Sequence, residues 1–132
     1  MLGRTVGAGQ LYLETSKDAN DGWLDGGKHY TLHVPKDAPV AQFWSFTVYD
    51  NESRCFVDSG TYPDRSSRDD IVKNADGSVD LYFGPTPPAG KPAKNWIKTL
   101  PKKGWFTYFR LYGPTKAYFD RTWVLPDIKP MN

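Results

Sequence analysis

One cysteine and two histidines are all that this 132-residue chain holds of the two types on which thiol and zinc chemistry depend. A lone Cys55 excludes an intrachain disulfide, so the fold must hold without a staple. At this length roughly two-thirds of the unfolded surface can be buried, which suffices for one domain. The histidines, His29 and His33, would share one ion on a helix. The surrounding Tyr30, Thr31, Leu32 and Val34 spell a strand instead, on which the two stand ~13 Å apart. Asp18, Asn20 and Asp21 before Gly22 miss the spacing of a calcium loop and have no closing glutamate, so they read as a polar turn. No metal and no cofactor is therefore expected. There is no Gly-x-Ser-x-Gly elbow, and Cys55 sits between Arg54 and Phe56 in a strand-like run. Asp50, Asp58 and Asp80 have no spacing that argues for a glycosidase carboxylate pair.

An excess of either charge is also missing. Seventeen basic residues face 15 acidic ones, for a net charge of +2, which gives no electrostatic case for nucleic acid or a membrane surface as partner. Lys91, Lys94, Lys98, Lys102 and Lys103 are interrupted by Pro and Trp and read as a solvated loop. No segment reaches the ~18–20 apolar residues of a membrane span, and Met1–Gly9 has no run of the signal-peptide kind. The compartment stays open.

What is present is aromatic and punctuated: 15% Phe, Trp and Tyr, with eleven prolines and twelve glycines spread along the chain. That composition suits short strands and many turns. Gln10–Glu14, His29–Val34, Phe43–Asp50, Ser78–Phe83 and Trp105–Tyr112 alternate with the period of two of half-buried antiparallel strands. The inward set is Tyr30, Leu32, Val34, Trp44, Phe46, Val48, Val79, Leu81, Phe83, Trp105, Phe109 and Leu111. Asp50-Asn51-Glu52-Ser53 predicts a turn into a strand at Arg54–Val57, and Asn74-Ala75-Asp76-Gly77 a hairpin from Ile71–Lys73 to Ser78–Phe83. The proline-rich Gly84–Lys94 reads as extended. Thr115 after Gly113-Pro114 can cap one short helix over Lys116–Thr122. The expected fold is an all-β, antiparallel β-sandwich with jelly-roll-like connectivity and that one C-terminal helix. Residues 10–132 form its single domain, behind a lead-in at 1–9 that reads like the interior of a longer protein.

The run Asp76–Pro114, DGSVDLYFGPTPPAGKPAKNWIKTLPKKGWFTYFRLYGP, together with FWSFTVYD upstream and YFDRTW downstream, resembles the bacterial family called domain of unknown function twelve-fourteen. The resemblance covers nearly the whole chain after about Gly7. It implies a jelly-roll β-sandwich forming the C-terminal half of a larger protein, behind a second uncharacterised domain, numbered twelve fifty-four. Relatives of that kind are often exported to the periplasm. The family carries no established activity, so function has to be argued from a site.

The outward faces supply one candidate. His33, Thr47, Tyr49, Asp80, Tyr82, Tyr108, Arg110 and Tyr112 all oppose the apolar set. On one shared sheet they would form a polar-aromatic surface with one cation and one carboxylate. Phenol rings cover the faces of sugars, and a guanidinium forks onto acid groups, so the surface suits a carbohydrate-like or carboxylate-bearing ligand. Trp96 and Trp123 flank loops, where an indole serves as a ligand platform or closes a sandwich end. The ligand-binding set is Arg110, Tyr108, Tyr112, Tyr82, Asp80, His33 and Trp96. Two other readings stand beside it: an Arg110–Asp80 ion pair tying two strands, and an interface for a partner domain or a second copy. Trp23, between Asp21-Gly22 and Asp25-Gly26, reads as a plug over a turn. As a whole the sequence favours a binding or assembly module. The alternative is the C-terminal subdomain of an exported hydrolase or lyase, with Arg110 stabilising an anion and His33, Tyr108 or Asp80 handling protons.

Overall fold

The computed structural model describes residues 3–7, 10–36, 40–53, 64–67, 71–114 and 125–131. Within them the chain forms nine strands: β1 (Gly3–Gly7), β2 (Gln10–Thr15), β3 (Tyr30–Val34), β4 (Val40–Asp50), β5 (Asp64–Ser66), β6 (Val79–Gly84), β7 (Trp96–Lys98), β8 (Trp105–Pro114) and β9 (Lys129–Pro130). They build a five-stranded sheet ordered β1-β2-β8-β4-β5 and a four-stranded sheet ordered β7-β6-β3-β9. Every pairing is antiparallel except β6 with β7. The chain crosses between sheets at β2–β3, β3–β4, β5–β6, β7–β8 and β8–β9, so most sequence neighbours lie on opposite sides of the core, as in a jelly roll. No helix among the described residues is long and apolar enough to cross a membrane.

Alternation builds the core. Every residue of the inward set named above is at most 6% exposed. The sheets meet through Trp105, whose ring stacks on Phe83 at 4.9 Å and meets Tyr30 edge-on at 5.8 Å. Thr107 takes a fully buried inward position on β8 because its hydroxyl donates to the Thr47 carbonyl at 2.7 Å and so is not left unpaired.

One side of the sandwich is closed by a residue in no legible motif. Arg65, on edge strand β5, donates from Nε to the Lys94 carbonyl at 2.9 Å and from Nη2 to the Trp96 carbonyl at 2.6 Å. The guanidinium thereby latches the edge of one sheet to the edge of the other. Hydrogen bonds from a charged donor contribute more than neutral ones, so Arg65→Met is expected to cost about 2–3 kcal/mol. Arg65→Lys should restore little of it, because an ammonium cannot reproduce the fork. Urea midpoints of the two variants check this; a wild-type midpoint in either would refute the latch.

Within the expected lead-in, β1 pairs with β2 from Gly3↔Glu14 to Gly7↔Gln10. Three local expectations are corrected. Ile71–Lys73 is not a hairpin strand, although the turn at 74–77 forms, with Gly77 N donating to Asn74 O at 3.0 Å and Asn74 N to Ser78 O at 2.8 Å. The backbone of Val72 is satisfied instead by the buried Asn95 side chain, which accepts from Val72 N and donates to Val72 O, both at 2.8 Å. Beyond Gly84, the end of β6, the expected extended loop turns back on itself: Pro88 is buried, Lys91 N donates back to its carbonyl at 3.3 Å, and Ala93–Asn95 turn in a 3₁₀ helix that leads into β7. The plug over the early turn is Leu24, at 2% exposure, while Trp23 is 67% exposed. An isolated bridge pairs Trp23 with Lys17, and alternation along that extended piece turns residue 24 inward and residue 23 out. The expected helix at Lys116–Thr122, the strand at Arg54–Val57, Cys55 and Trp123 lie outside the described residues.

Candidate functional site

The expected single surface is divided. Arg110, Tyr108 and Tyr112 project from β8 on the outer face of the five-stranded sheet, with Thr47 and Tyr49 of neighbouring β4. His33, Asp80, Tyr82 and Trp96 belong to β3, β6 and β7 of the four-stranded sheet, on the opposite outer face. Both groups point away from the core, but the core separates them. An ion pair between Arg110 and Asp80 is thereby excluded, and so is a joint site using both.

On the first face, the register sets Tyr112 against Phe43, Arg110 against Ser45, Tyr108 against Thr47 and Phe106 against Tyr49. Phe43 and Tyr112 stack at 4.1 Å, and Tyr49 and Phe106 at 5.2 Å. The Arg110 side chain leans along this ladder. It donates from Nη1 to Thr47 Oγ1 at 3.0 Å and from Nη2 to Tyr49 Oη at 2.6 Å. Its guanidinium carbon lies 5.4 Å from the Tyr108 ring centre and 5.8 Å from that of Tyr49, within cation–π range of both. The outcome is a half-buried cation held in one orientation between two phenols. β2 flanks it, with Glu14 in register with Tyr108. Phe106, Ser45 and Thr47 are outward by alternation yet at most 7% exposed, so among the described residues the half-exposed part of this surface is Arg110, Tyr108, Tyr112, Phe43, Tyr49 and Glu14.

The second face is a hydrogen-bonded chain. His33 Nδ1 lies 2.7 Å from Asp80 Oδ1, its cross-strand partner. Asp80 Oδ2 accepts from Asn74 Nδ2 at 3.1 Å, and that amide also donates to Ser78 Oγ at 2.9 Å. Ser78 Oγ donates to Asp76 at 2.6 Å, and this bond, with the Ser78 backbone N–H, holds the Asp76 carboxyl below its usual range. Burial pushes the Tyr82 phenol up, with the Asp80 carboxylate adding to the effect. Ser78 is buried behind its turn, so this network shapes a turn and exposes no nucleophile. Trp96 is half-buried and its Nε1 donates to the Gly84 carbonyl at 3.0 Å, which spends its polar end on closing the sheet edge.

Among the described residues no group of three or more His, Cys, Asp or Glu is placed to hold a metal. The alternation that marks Tyr49 as outward marks Phe43 too, so the stack of Phe43 with Tyr112 has a signal in the sequence. Arg65 and Asn95 had no such signal, because each acts on backbone carbonyls far away in the chain.

Residues 9–116 match the family model described as "Protein of unknown function (DUF1214)". The chain belongs to the DUF1214 family. No curated protein matches it. Among solved structures, the VPA0106 protein from Vibrio parahaemolyticus is similar at 25% identity with a TM-score of 0.77 over 93% of this chain and 31% of that one. An uncharacterised protein from Burkholderia cenocepacia shares the fold at 18% identity, with a TM-score of 0.53 over 92% of this chain and 29% of its own. This DUF1214 chain thus spans about a third of the length of the solved chains it resembles.

Proposed function

We propose that this DUF1214 domain is a binding and assembly module, and that the Arg110 face is its recognition surface for a carbohydrate-like ligand bearing a carboxylate. One observation carries the reading: a half-exposed guanidinium tethered by Thr47 and Tyr49 and flanked by the rings of Tyr49 and Tyr108. The tether fixes the cation before a ligand arrives, so little side-chain entropy is lost on binding. Tyr108 and Tyr112 supply adjacent apolar area with hydroxyls at its rim. The hydrolase or lyase alternative has weaker support, since His33 and Asp80 stand on the other outer face.

A calorimetric titration of the full chain with glucuronate and galacturonate oligosaccharides, beside their neutral counterparts, tests the proposal. The acidic sugars should bind, and Arg110→Ala should weaken them about ten-fold or more. No binding of any acidic sugar, or binding indifferent to Arg110→Ala, would overturn it. A second reading draws on the shared length with solved chains: in a longer polypeptide the same face docks another domain, for which Tyr, Phe and Arg are the favoured core residues. Protection of Tyr108 and Tyr112 from hydroxyl-radical labelling in such a polypeptide, with labelling in the isolated domain, would select it.

A further inference from the structure

We infer that the loop from Lys17 to Trp23 is a separate binding site, an aromatic platform for the face of a neutral sugar ring. Trp23 and Val72 are the exposed large hydrophobics among the described residues, and Trp23 is the more exposed, at 67% against 45%. An indole left in water forgoes a large burial gain, and nothing in the local fold requires it there, because Leu24 already fills the core position.

The loop that carries the indole is ordered in advance. Asp18 Oδ1 accepts from the backbone N–H of Asn20 at 2.8 Å and of Gly22 at 3.0 Å. Asp18 N donates to Gly22 O at 2.8 Å, Leu24 N to Ser16 O at 3.0 Å, and Ala19 N reaches Ile128 O at 2.7 Å. Asp21 takes a left-handed backbone, at φ 64°, which Asp tolerates better than most residues. Lys17 Nζ lies 4.7 Å from the Trp23 ring centre and 3.6 Å from Asp21 Oδ1. The ammonium steadies the ring from one side, and the Asp21 side chain beside it is 81% exposed.

These surroundings discriminate between possible occupants. A protein hot spot needs an indole ringed by further apolar surface that excludes water; this one has the Lys17 ammonium over it, itself paired with Asp21, and stands in a loop of polar residues. A membrane interface would press the carboxylates of Asp18 and Asp21 toward lipid headgroups, which anionic lipid opposes. A pyranose ring asks for an apolar plate of about one indole with donors and acceptors at its edge, and Trp23 with Asp21 and Lys17 offers that set. A neutral sugar is specified because the loop carries more carboxylates than ammonium groups, so it does not attract an acid.

The test uses the ¹⁵N-labelled full chain, whose five tryptophans give separable indole N–H signals, with Trp23→Phe assigning the one of interest. Neutral β-linked oligosaccharides of glucose, xylose, mannose and N-acetylglucosamine are titrated to about 10 mM, a range that captures millimolar affinity. At least one should move the Trp23 signal. By calorimetry Trp23→Ala should weaken that sugar about ten-fold or more, while the melting temperature stays within about 2 °C because the lost side chain is exposed. Arg110→Ala should leave the neutral sugar unaffected. No shift with any of the four, an affinity unchanged by Trp23→Ala, or a Trp23 signal that responds to phosphatidylcholine–phosphatidylglycerol vesicles and to no sugar would each overturn the inference.

Discussion

Gly26→Ala is expected to abolish cooperative folding or lower the melting temperature by at least about 12 °C, from a cost of about 4 kcal/mol or more. A Cβ at residue 26 would overlap the Leu100 carbonyl oxygen and lie 2.8 Å from the carbon of that carbonyl and 2.7 Å from the Lys103 oxygen. All are backbone atoms, so no side-chain rotation relieves the overlap. The two segments are also pinned together. Gly26 N donates to Lys103 O at 2.8 Å, the buried Thr99 hydroxyl donates to Gly26 O at 2.8 Å, and Trp105 N donates to Leu24 O at 3.3 Å. Making room would separate the turn before β3 from the turn before β8 and leave those buried groups unpaired. The cost approaches the whole stability margin of an ordinary domain. An internal control lies one residue away: a Cβ at Gly27 meets nothing closer than 3.5 Å, so Gly27→Ala should stay within about 0.5 kcal/mol of wild type. Melting curves of the pair decide the matter. Equal midpoints for the two variants would show that the approach of Leu100 to Gly26 is not built as described.

The contrast between Gly26 and Gly27 is invisible in Asp25-Gly26-Gly27, where both read as turn residues. Much of the fold was legible because period-two alternation is a local property. On β4 and β8 it assigned Trp44, Phe46, Val48, Phe109 and Leu111 to the interior and Arg110 to the exterior, as found. What alternation cannot carry is sheet membership. β6 and β8 each turn a charged residue outward, but β6 pairs with β3 and β8 with β4, and a jelly-roll path sends successive strands to opposite sheets. Asp80 and Arg110 therefore ended on opposite surfaces for a reason that lives in long-range pairing. The short strands show the same limit from another side. Asp64–Ser66 is polar and Trp96–Lys98 lasts three residues, too brief for a periodicity. They are strands because β4 and β6 pair with them. Trp23 shows a third limit: its place between two Asp-Gly turns reads as a plug, whereas the Lys17↔Trp23 bridge turns the smaller Leu24 inward.

Phe109→Ala should cost about 3–5 kcal/mol while leaving the affinity of the Arg110 face for an acidic sugar within about two-fold in the folded fraction. Phe109 is 1% exposed, at the centre of β8 between Leu13 of β2 and Phe46 of β4. Its ring stacks on Phe46 at 4.4 Å and lies 5.8 Å from that of Trp44 at a tilt of 55°. Truncation removes the transfer energy of the ring, leaves a cavity bounded by two large aromatics, and forfeits the aromatic pairing itself. The walls belong to hydrogen-bonded strands and cannot close in cheaply. Phe109→Leu, which keeps most of the volume, should cost under about 1.5 kcal/mol. Its neighbour behaves in the reverse sense: Arg110→Ala gives up the part-buried hydrogen bonds to Thr47 and Tyr49, about 2 kcal/mol of stability, and most of the proposed ligand affinity. Two adjacent residues on one strand thus separate stability from the proposed recognition because alternation sends their side chains to opposite faces of a single sheet. Urea midpoints and acidic-sugar titrations of both variants measure the division directly. A Phe109→Ala protein as stable as wild type would mean that β8 presents the other face to the core, and the guanidinium would then have no claim to the surface.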